Sequence, residues 1–324
     1  MRVFIYEFLT ARGLGAAPAD PLHPLYREGR AMRDAVAADF AALPGCEVVT
    51  LDGVAESDEP TAFAARAAAA DWTLVVAPES DHVLHTRCRW VRDAGGRLLG
   101  PDLPAVELTS DKLTLAAHWR DHGVPTPATT DREPTRCEHF PVVWKPRDGC
   151  GSTATYLLND ALDVARARAV VAAGEYAGPM ILQEYVAGTP ASVAFLCGPG
   201  GHHPLLPTAQ HLSADGRLRY LGGSLPLPPA LADRALPLAS RALACVPGLR
   251  GYVGVDLILG DEKDVAVEIN PRLTTSYVGL RAAAGFNLAG AMIAAAAGSP
   301  LPLFRWGTRP THFTAGGQIE AGAF

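Results

Sequence analysis

The sequence predicts an α/β protein with α+β character in its later parts: a parallel-sheet unit first, then two mixed units. Three observations predict it. Short strand-like and helix-like stretches alternate over residues 1–107 with brief links, as in a parallel sheet. A short apolar run, Pro141–Pro146, leads through a glycine-rich loop into a second strand-like run, Thr153–Leu158. Two more apolar runs, Gly254–Ile258 and Val267–Pro271, flank the tight turn Gly260-Asp261-Glu262-Lys263.

In order, Val3–Tyr6 reads as a strand and Leu25–Leu43 as an amphipathic helix stopped by Pro44-Gly45. Glu47–Leu51 is a strand, Thr61–Ala70 a helix, Trp72–Ala77 a buried strand, and Val83–Ala94 a helix ended by Gly95-Gly96. Arg97–Gly100 reads as a short strand. Ligands of such sheets sit beyond the carboxyl ends of the strands, where Glu7 and Pro78-Glu79-Ser80-Asp81 fall. Leu113–His122 is helical, with Ser110 or Asp111 as its N-cap. The proline-rich joint Val124-Pro125-Thr126-Pro127 opens a small central unit, which ends after the strand-like Met180–Gly188. Leu221–Pro229 reads as a loop before a helix starting near Ala230, and Thr308–Phe324 has no clear period. These marks divide the chain into residues 1–107, 108–190 and 191–324, with no internal repeat.

Composition excludes several classes. A net charge of −6 gives no electrostatic reason to expect nucleic-acid binding. The 48% hydrophobic and 19% charged content is that of a soluble globular protein. Leu288–Ala297 is too short to span a bilayer, and Met1–Glu7 reads as a strand rather than a secretion signal. The six cysteines are scattered without a C-x-x-C pair, which suits reduced thiols in a cytoplasm. Oligomeric state is open, a homodimer included.

The chemistry gathers in the later units. Glu268 and Asn270 are two apart, so on a strand they face one way, and a hairpin brings Asp256 beside them. Two carboxylates and an amide oxygen form a hard donor set suited to Mg2+, with Mn2+ as a substitute; the alternative is a surface hairpin with solvated acids. The strand ending at Lys145 delivers a cation beside Asp148-Gly149-Cys150-Gly151-Ser152-Thr153, a loop able to lie over phosphates and donate N–H groups. Lys112, at a helix start, is a second candidate phosphate cation or simply a solvated lysine. Gly149-x-Gly151-x-x-Ala154 formally fits a dinucleotide fingerprint, but a strand-like run follows where a helix is required. No Walker-type loop or G-x-S-x-G elbow occurs. Gln183-Glu184-Tyr185-Val186, ending in Gly188, can offer backbone groups to a purine edge. Cys150 reads as a small loop residue rather than a nucleophile. The His82, His85 and Cys88 spacing lacks a fourth ligand for zinc. Trp119, Trp144 and Tyr252 read as core, and His202-His203 as solvated.

Taken in order, Ser-Asp-Lys, strand-lysine with a glycine loop, Gln-Glu-Tyr-Val-x-Gly, Gly-x-Asp and Glu-x-Asn-Pro-Arg, the segments resemble the ATP-grasp superfamily of carboxylate–amine ligases over roughly Leu108–Gly290. The resemblance implies an ATP-grasp fold and an ADP-forming enzyme that makes amides through an acyl phosphate from small-molecule carboxylate and amine substrates. It implies that Lys112 and Lys145 contact ATP phosphates beneath the Gly149, Gly151 and Ser152 loop, that Gln183–Val186 form the adenine hinge, and that Asp256, Glu268 and Asn270 hold Mg2+. Arg272 would steady phosphate or a substrate carboxylate, acting with Lys145 in catalysis; Glu7 and Glu79 would hold an ammonium or are simply solvated strand termini. One departure is the lack of an acid in Gly188–Val193 to hold the ribose, which leaves Glu184 or another group to do so. Tyr6–Thr10, Ala77-Pro78-Glu79 and Gln183–Val193 further resemble a narrower branch, whose members couple the γ-carboxylate of glutamate to tyramine for a furan cofactor. Another amino-acid conjugate, or a non-catalytic ATP sensor, is the alternative.

Overall fold

The computed structural model describes residues 1–14 and 23–321. The chain opens with β1 (Arg2–Glu7), α1 (Phe8–Ala11), α2 (His23–Ala41), β2 (Glu47–Thr50), α3 (Glu59–Ala69), β3 (Trp72–Val76) and α4 (Val83–Asp93). The strands form a parallel sheet in the order β2-β1-β3. Alternation along β1 sends Phe4 and Tyr6 to a core with Phe63 of α3 and Leu84 and Val91 of α4. Val3 and Ile5 face the other way, into a core shared with Val36 and Phe40 of α2. Arg97–Gly100, expected as a strand, makes only a single parallel bridge from Leu98 to Thr73. Gly95-Gly96 and Gly100-Pro101 bracket it too closely, and Pro101 has no N–H to extend a ladder.

Helices α5 (Leu103–Ser110) and α6 (Lys112–Asp121) lead into a four-stranded sheet. It comprises β4 (Thr129–Thr130), β5 (Val142–Pro146), β6 (Tyr156–Leu158) and β7 (Met180–Glu184), in the antiparallel order β4-β7-β5-β6, with α7 (Ala161–Val170) packed on one face. The strand–loop–strand expected around Lys145 is the β5–β6 pair. Its second strand starts only at Tyr156, because Ser152 and Ala154 take left-handed conformations that no ladder accepts.

The largest sheet has eight strands: β8 (Gly188–Gly198), β9 (Gly201–Pro204), β10 (Thr208–Leu212), β11 (Tyr220–Leu225), β12 (Gly251–Gly260), β13 (Asp264–Asn270), β14 (Thr311–Thr314) and β15 (Ile319–Ala321). Their order is β13-β12-β8-β10-β11-β14-β15, with β9 on β8. Helix α8 (Pro229–Ala244) covers one face, burying Ala235, Leu238 and Ala242 against Val253, Val255 and Leu257. Helices α9 (Ser276–Ala283) and α10 (Leu288–Ala297) pack on the other face, with Leu280, Met292 and Ala295 in the core that also takes Val3, Ile5 and Phe40. That shared core fixes the N-terminal sheet against the large one.

One expectation fails here, and one open question is answered. Leu221–Pro229 is not a loop throughout, since β11 occupies Tyr220–Leu225; the tail beyond Thr308 supplies β14 and β15. The signal misled because Gly222 and Gly223 mark close backbone approach rather than a turn: a Cβ on Gly222 would collide with the carbonyl of Phe313.

Candidate active site

Strand alternation builds the site. On β5, Val142 and Trp144 face the α7 core, so Val143 and Lys145 face the opposite side, where the eight-stranded sheet lies across from them. On β12, Val253, Val255 and Leu257 go to the α8 core and Asp256 and Ile258 to the cleft. β13 breaks the rule usefully. Ala266 and Ile269 both face the core, although three apart, because a bulge inserts Val267. The extra residue turns Glu268 to the cleft side with Asn270. Between the two sheets lies a cavity of about 380 Å³, within the range that holds a small-molecule ligand.

At its centre Asp256 stands directly across from Glu268. Asp256 accepts from Gln210 Nε2 at 2.9 Å and Asn270 Nδ2 at 3.0 Å. Burial and the facing Glu268 carboxylate push its pKa up to about 7. Glu268 suffers the same burial but is held below its ordinary value by Lys112 and Lys145. Lys112 Nζ lies 3.4 Å from Glu268 and donates to the carbonyl of Gly149 at 2.6 Å. Lys145 is buried, which lowers its pKa to about 8 against the pull of Glu268 and Asp256, with Lys112 adding repulsion. Two lysines and two carboxylates thus balance in formal charge around one point.

The Gly149–Thr153 loop lies over this point. A Cβ on Gly149 would come within 2.8 Å of Pro146, and one on Gly151, whose φ is +61°, within 2.8 Å of Leu25. Asp148 ties the loop down by accepting from the Asp81 N–H at 3.1 Å and from the Tyr176 hydroxyl at 2.7 Å. Burial pushes the Cys150 thiol up to about 12, so it stays protonated at neutral pH. Asp111, not Ser110, caps α6: its carboxylate accepts from the N–H groups of Leu113 and Thr114, each at 3.0 Å, and meets Arg147 at 2.8 and 2.5 Å.

At one end of the cleft lie Gln183, Glu184, Tyr185 and Val186, with Ile258 as an apolar floor. Gln183 donates to Thr129 Oγ1 at 3.0 Å. Glu184, raised as a ribose partner, already meets Lys263 Nζ at 2.5 Å and the Ala128 N–H at 3.2 Å.

At the other end lies Arg272, whose Nε and Nη2 sit 2.9 and 3.1 Å from the two oxygens of Glu79, while Nη1 donates to the Leu273 carbonyl at 3.1 Å. Among the described residues that line the cleft, Glu7 and Glu79 do not appear. Glu7 is buried as the N-cap of α1, accepting from Leu9 and Thr10 N–H groups. Glu79 is spent on Arg272. Sequence reasoning missed Glu28 of α2, Gln210 of β10 and Tyr220 of β11, all of which line the cleft. No local pattern marks them, since only the tertiary fold brings them there. His82, His85 and Cys88 form no metal cluster, nor do any three His, Cys, Asp or Glu residues among those described. No described helix is long and apolar enough to cross a membrane. Trp119, Trp144 and Tyr252 are buried in cores.

Comparison with known proteins bears on the family and the fold. An ATP-grasp domain model matches residues 109–276, and a pre-ATP-grasp domain model matches residues 31–106. The chain is 29% identical over 211 residues to a tyramine–L-glutamate ligase from Methanocaldococcus fervens, covering 65% of this chain and 62% of that protein. It is 28% identical over 214 residues to the Methanocaldococcus jannaschii enzyme of the same name, covering 65% and 58%. The match therefore spans about three-fifths of those relatives. In fold, it resembles an ATP-grasp superfamily protein from Archaeoglobus fulgidus with a TM-score of 0.71 at 24% identity, over 97% of this chain and 92% of that one. Biotin carboxylase from Campylobacter jejuni gives 0.68 at 18% identity, over 96% and 74%. The domain model covers more than half of the chain and runs from the helix that carries Lys112 past Arg272, so the chain belongs to the ATP-grasp family.

Proposed function

We propose that the chain is an ATP-dependent ligase that joins a carboxylate to an amine through an acyl phosphate. One observation carries this reading: Lys112, Lys145, Asp256, Glu268 and Asn270 converge on one cavity beneath a glycine loop. A carboxylate and an amine do not condense readily in water, because the oxygen to be lost is a poor leaving group. Transfer of the terminal phosphoryl of ATP to a carboxylate oxygen releases ADP and converts that oxygen into phosphate, which leaves when the amine attacks the carbonyl. The products are the amide, ADP and phosphate, with a proton released from the amine.

Each residue class has a task in this chemistry. Lys112 and Lys145 offset charge on the outer phosphates, where fixed cations in a dry site act most strongly. The loop from Gly149 to Thr153 covers the reacting groups and keeps water from the acyl phosphate. Its anchorage through Asp148 and through Lys112 to Gly149 holds it over the cleft. Gln183–Val186 would receive the adenine. Asp256, Glu268 and the Asn270 oxygen fit Mg2+, or Mn2+ in its place. They are oxygen donors only, and burial, with the facing Glu268 carboxylate, raises the Asp256 pKa, a cost that a bound divalent cation would offset. Bound there, the metal would neutralise the phosphates as a Lewis acid. The six unpaired thiols fit a reducing, cytoplasmic setting.

The finer reading takes L-glutamate as acyl donor, through its γ-carboxylate, and tyramine as the amine. The identity to the two Methanocaldococcus ligases supports it. The test is ADP release with ATP and Mg2+ while amino acids are crossed against amines, tyramine included. ADP should form only when both a carboxylate and an amine are present. Release with glutamate and tyramine supports the finer reading, and release with other pairs alone leaves the general ligase. ATP binding without turnover for any pair would instead favour a sensor.

A further inference from the structure

The end of the cleft beyond Arg272 holds charges that ATP chemistry does not use. Glu28 projects from α2 into the same cavity as Arg272, Thr274 and Thr275. One Glu28 oxygen accepts from the Thr275 hydroxyl, which fixes the carboxylate in place. No lysine or arginine forms an ion pair with it among the described residues. The groups facing it from neighbouring elements are Thr275, Arg272, the Tyr220 phenol and the Cys150 thiol. Arg272 donates through Nη2 to Glu79 and through Nη1 to the Leu273 carbonyl, while its Nε pairs with Glu79 at 2.9 Å without a hydrogen bond; one N–H on Nη1 and one on Nη2 remain uncommitted. Because Glu79 already offsets Arg272, an ionised Glu28 leaves this end with one negative charge in excess. Burial accordingly raises the Glu28 pKa, and Arg272 only partly counters it.

A fixed carboxylate and a guanidinium lining one pocket complement a ligand that carries an ammonium and a carboxylate close together. We propose that Glu28 and Arg272 form the seat for the head group of an α-amino-acid substrate, with Glu28 binding its ammonium and the two remaining Arg272 N–H groups its α-carboxylate. This rests on the ligase reading and moves the ammonium role from Glu7 and Glu79 to a residue of α2. With its α-carboxylate engaged by Arg272, the carboxylate left to react is the one on the amino acid's side chain. Glu28 is a specificity-determining residue; removing it leaves the phosphoryl-transfer groups untouched.

The test compares L-glutamate with glutarate, its analogue lacking the amino group, each with tyramine, ATP and Mg2+ and read as ADP release. The wild-type chain should prefer glutamate by about 100-fold in kcat/KM, as expected for a buried charge contact. Glu28→Gln preserves shape and acceptance from Thr275, and should collapse that preference toward unity by raising the KM for glutamate. Thr275→Val should lower the preference in the same direction by a smaller factor. ATP titration of each variant reports whether the nucleotide end is intact. A Glu28→Gln variant that binds ATP yet keeps the full preference overturns the inference, as does an equal loss with both substrates. ADP release by the wild type with other amino acids but not glutamate moves the same comparison to that amino acid and its deamino analogue. Failure of every amino acid in the wild type overturns the ligase reading and this inference together.

Discussion

Asp256 and Glu268 face each other across β12 and β13 with both carboxylates turned into a low-water cleft, an arrangement that costs stability in the free protein. Lys112 and Lys145 offset that cost, and each lysine is in turn held by the acids. Glu268→Gln removes one of the repelling charges while keeping the side-chain shape. It also leaves the buried Lys112 and Lys145 with one carboxylate fewer, and because the folded state favours the ionised Glu268, its urea midpoint should fall below the wild type at neutral pH, while turnover should fall about 10²–10³-fold. Near-native turnover at saturating Mg2+ would remove Glu268 from the site. That Asp256, Glu268 and Asn270 lie together was legible from spacing, because strand alternation and a hairpin turn are local; that Lys112 and Lys145 meet them was legible only through the order of segments that resembles the ATP-grasp superfamily. Glu28 and Gln210 were not legible. Each sits in an element whose own pattern reads as ordinary, and their placement depends on how α2 and β10 pack against distant strands. Glu7 misled for a related reason: a strand end can put its acid in a ligand cleft or, as here, on the N–H groups of the next helix.

Among elements, α6 carries Lys112 into the cleft, and Asp111 sets its start. Burial pushes the Asp111 carboxyl up, but Arg147 and the backbone N–H groups outweigh it and bring it down to about 2. A carboxylate depressed in the folded state stabilises above its unfolded pKa of about 3.9 and loses that contribution as pH falls through the folded value. Asp111→Asn keeps an N-cap but removes the charge beside Arg147 and the helix N-terminus, and should therefore cost about 1–2 kcal/mol at pH 7. The gap to wild type in urea unfolding should narrow as pH falls from about 5 toward 2. A gap that stays constant with pH would mean the ionised carboxylate is not what holds the helix start. Glycines were the weakest guide to elements. Gly149 and Gly151 do mark a loop, whereas Gly222 and Gly223 lie inside β11, where they let neighbouring strands come close. The sequence pattern is the same, and only the packing partner distinguishes them. The Val267 bulge is equally silent in sequence, yet without it Glu268 would take the face that Ala266 uses.

For the molecule as a whole, the alternation that predicted a parallel sheet is realised in β2-β1-β3, and the hairpins that predicted mixed units are realised in two antiparallel sheets facing across the cleft. What the sequence could not convey was the docking. Val3, Ile5 and Phe40 share a core with Leu280, Met292 and Ala295, and this carries α2, and Glu28 with it, to the end of the cleft opposite the hinge. A three-part cleft of this kind suits a reaction in which nucleotide, metal and substrate meet at one carboxylate. The most direct test of that claim follows an oxygen atom. With glutamate labelled by 18O in its side-chain carboxylate, together with tyramine, ATP and Mg2+, phosphoryl transfer to that carboxylate moves one labelled oxygen into the released phosphate. Mass spectrometry of the products should find ADP and phosphate carrying a single 18O per amide formed. Unlabelled phosphate, or 18O in AMP, would contradict the acyl-phosphate mechanism.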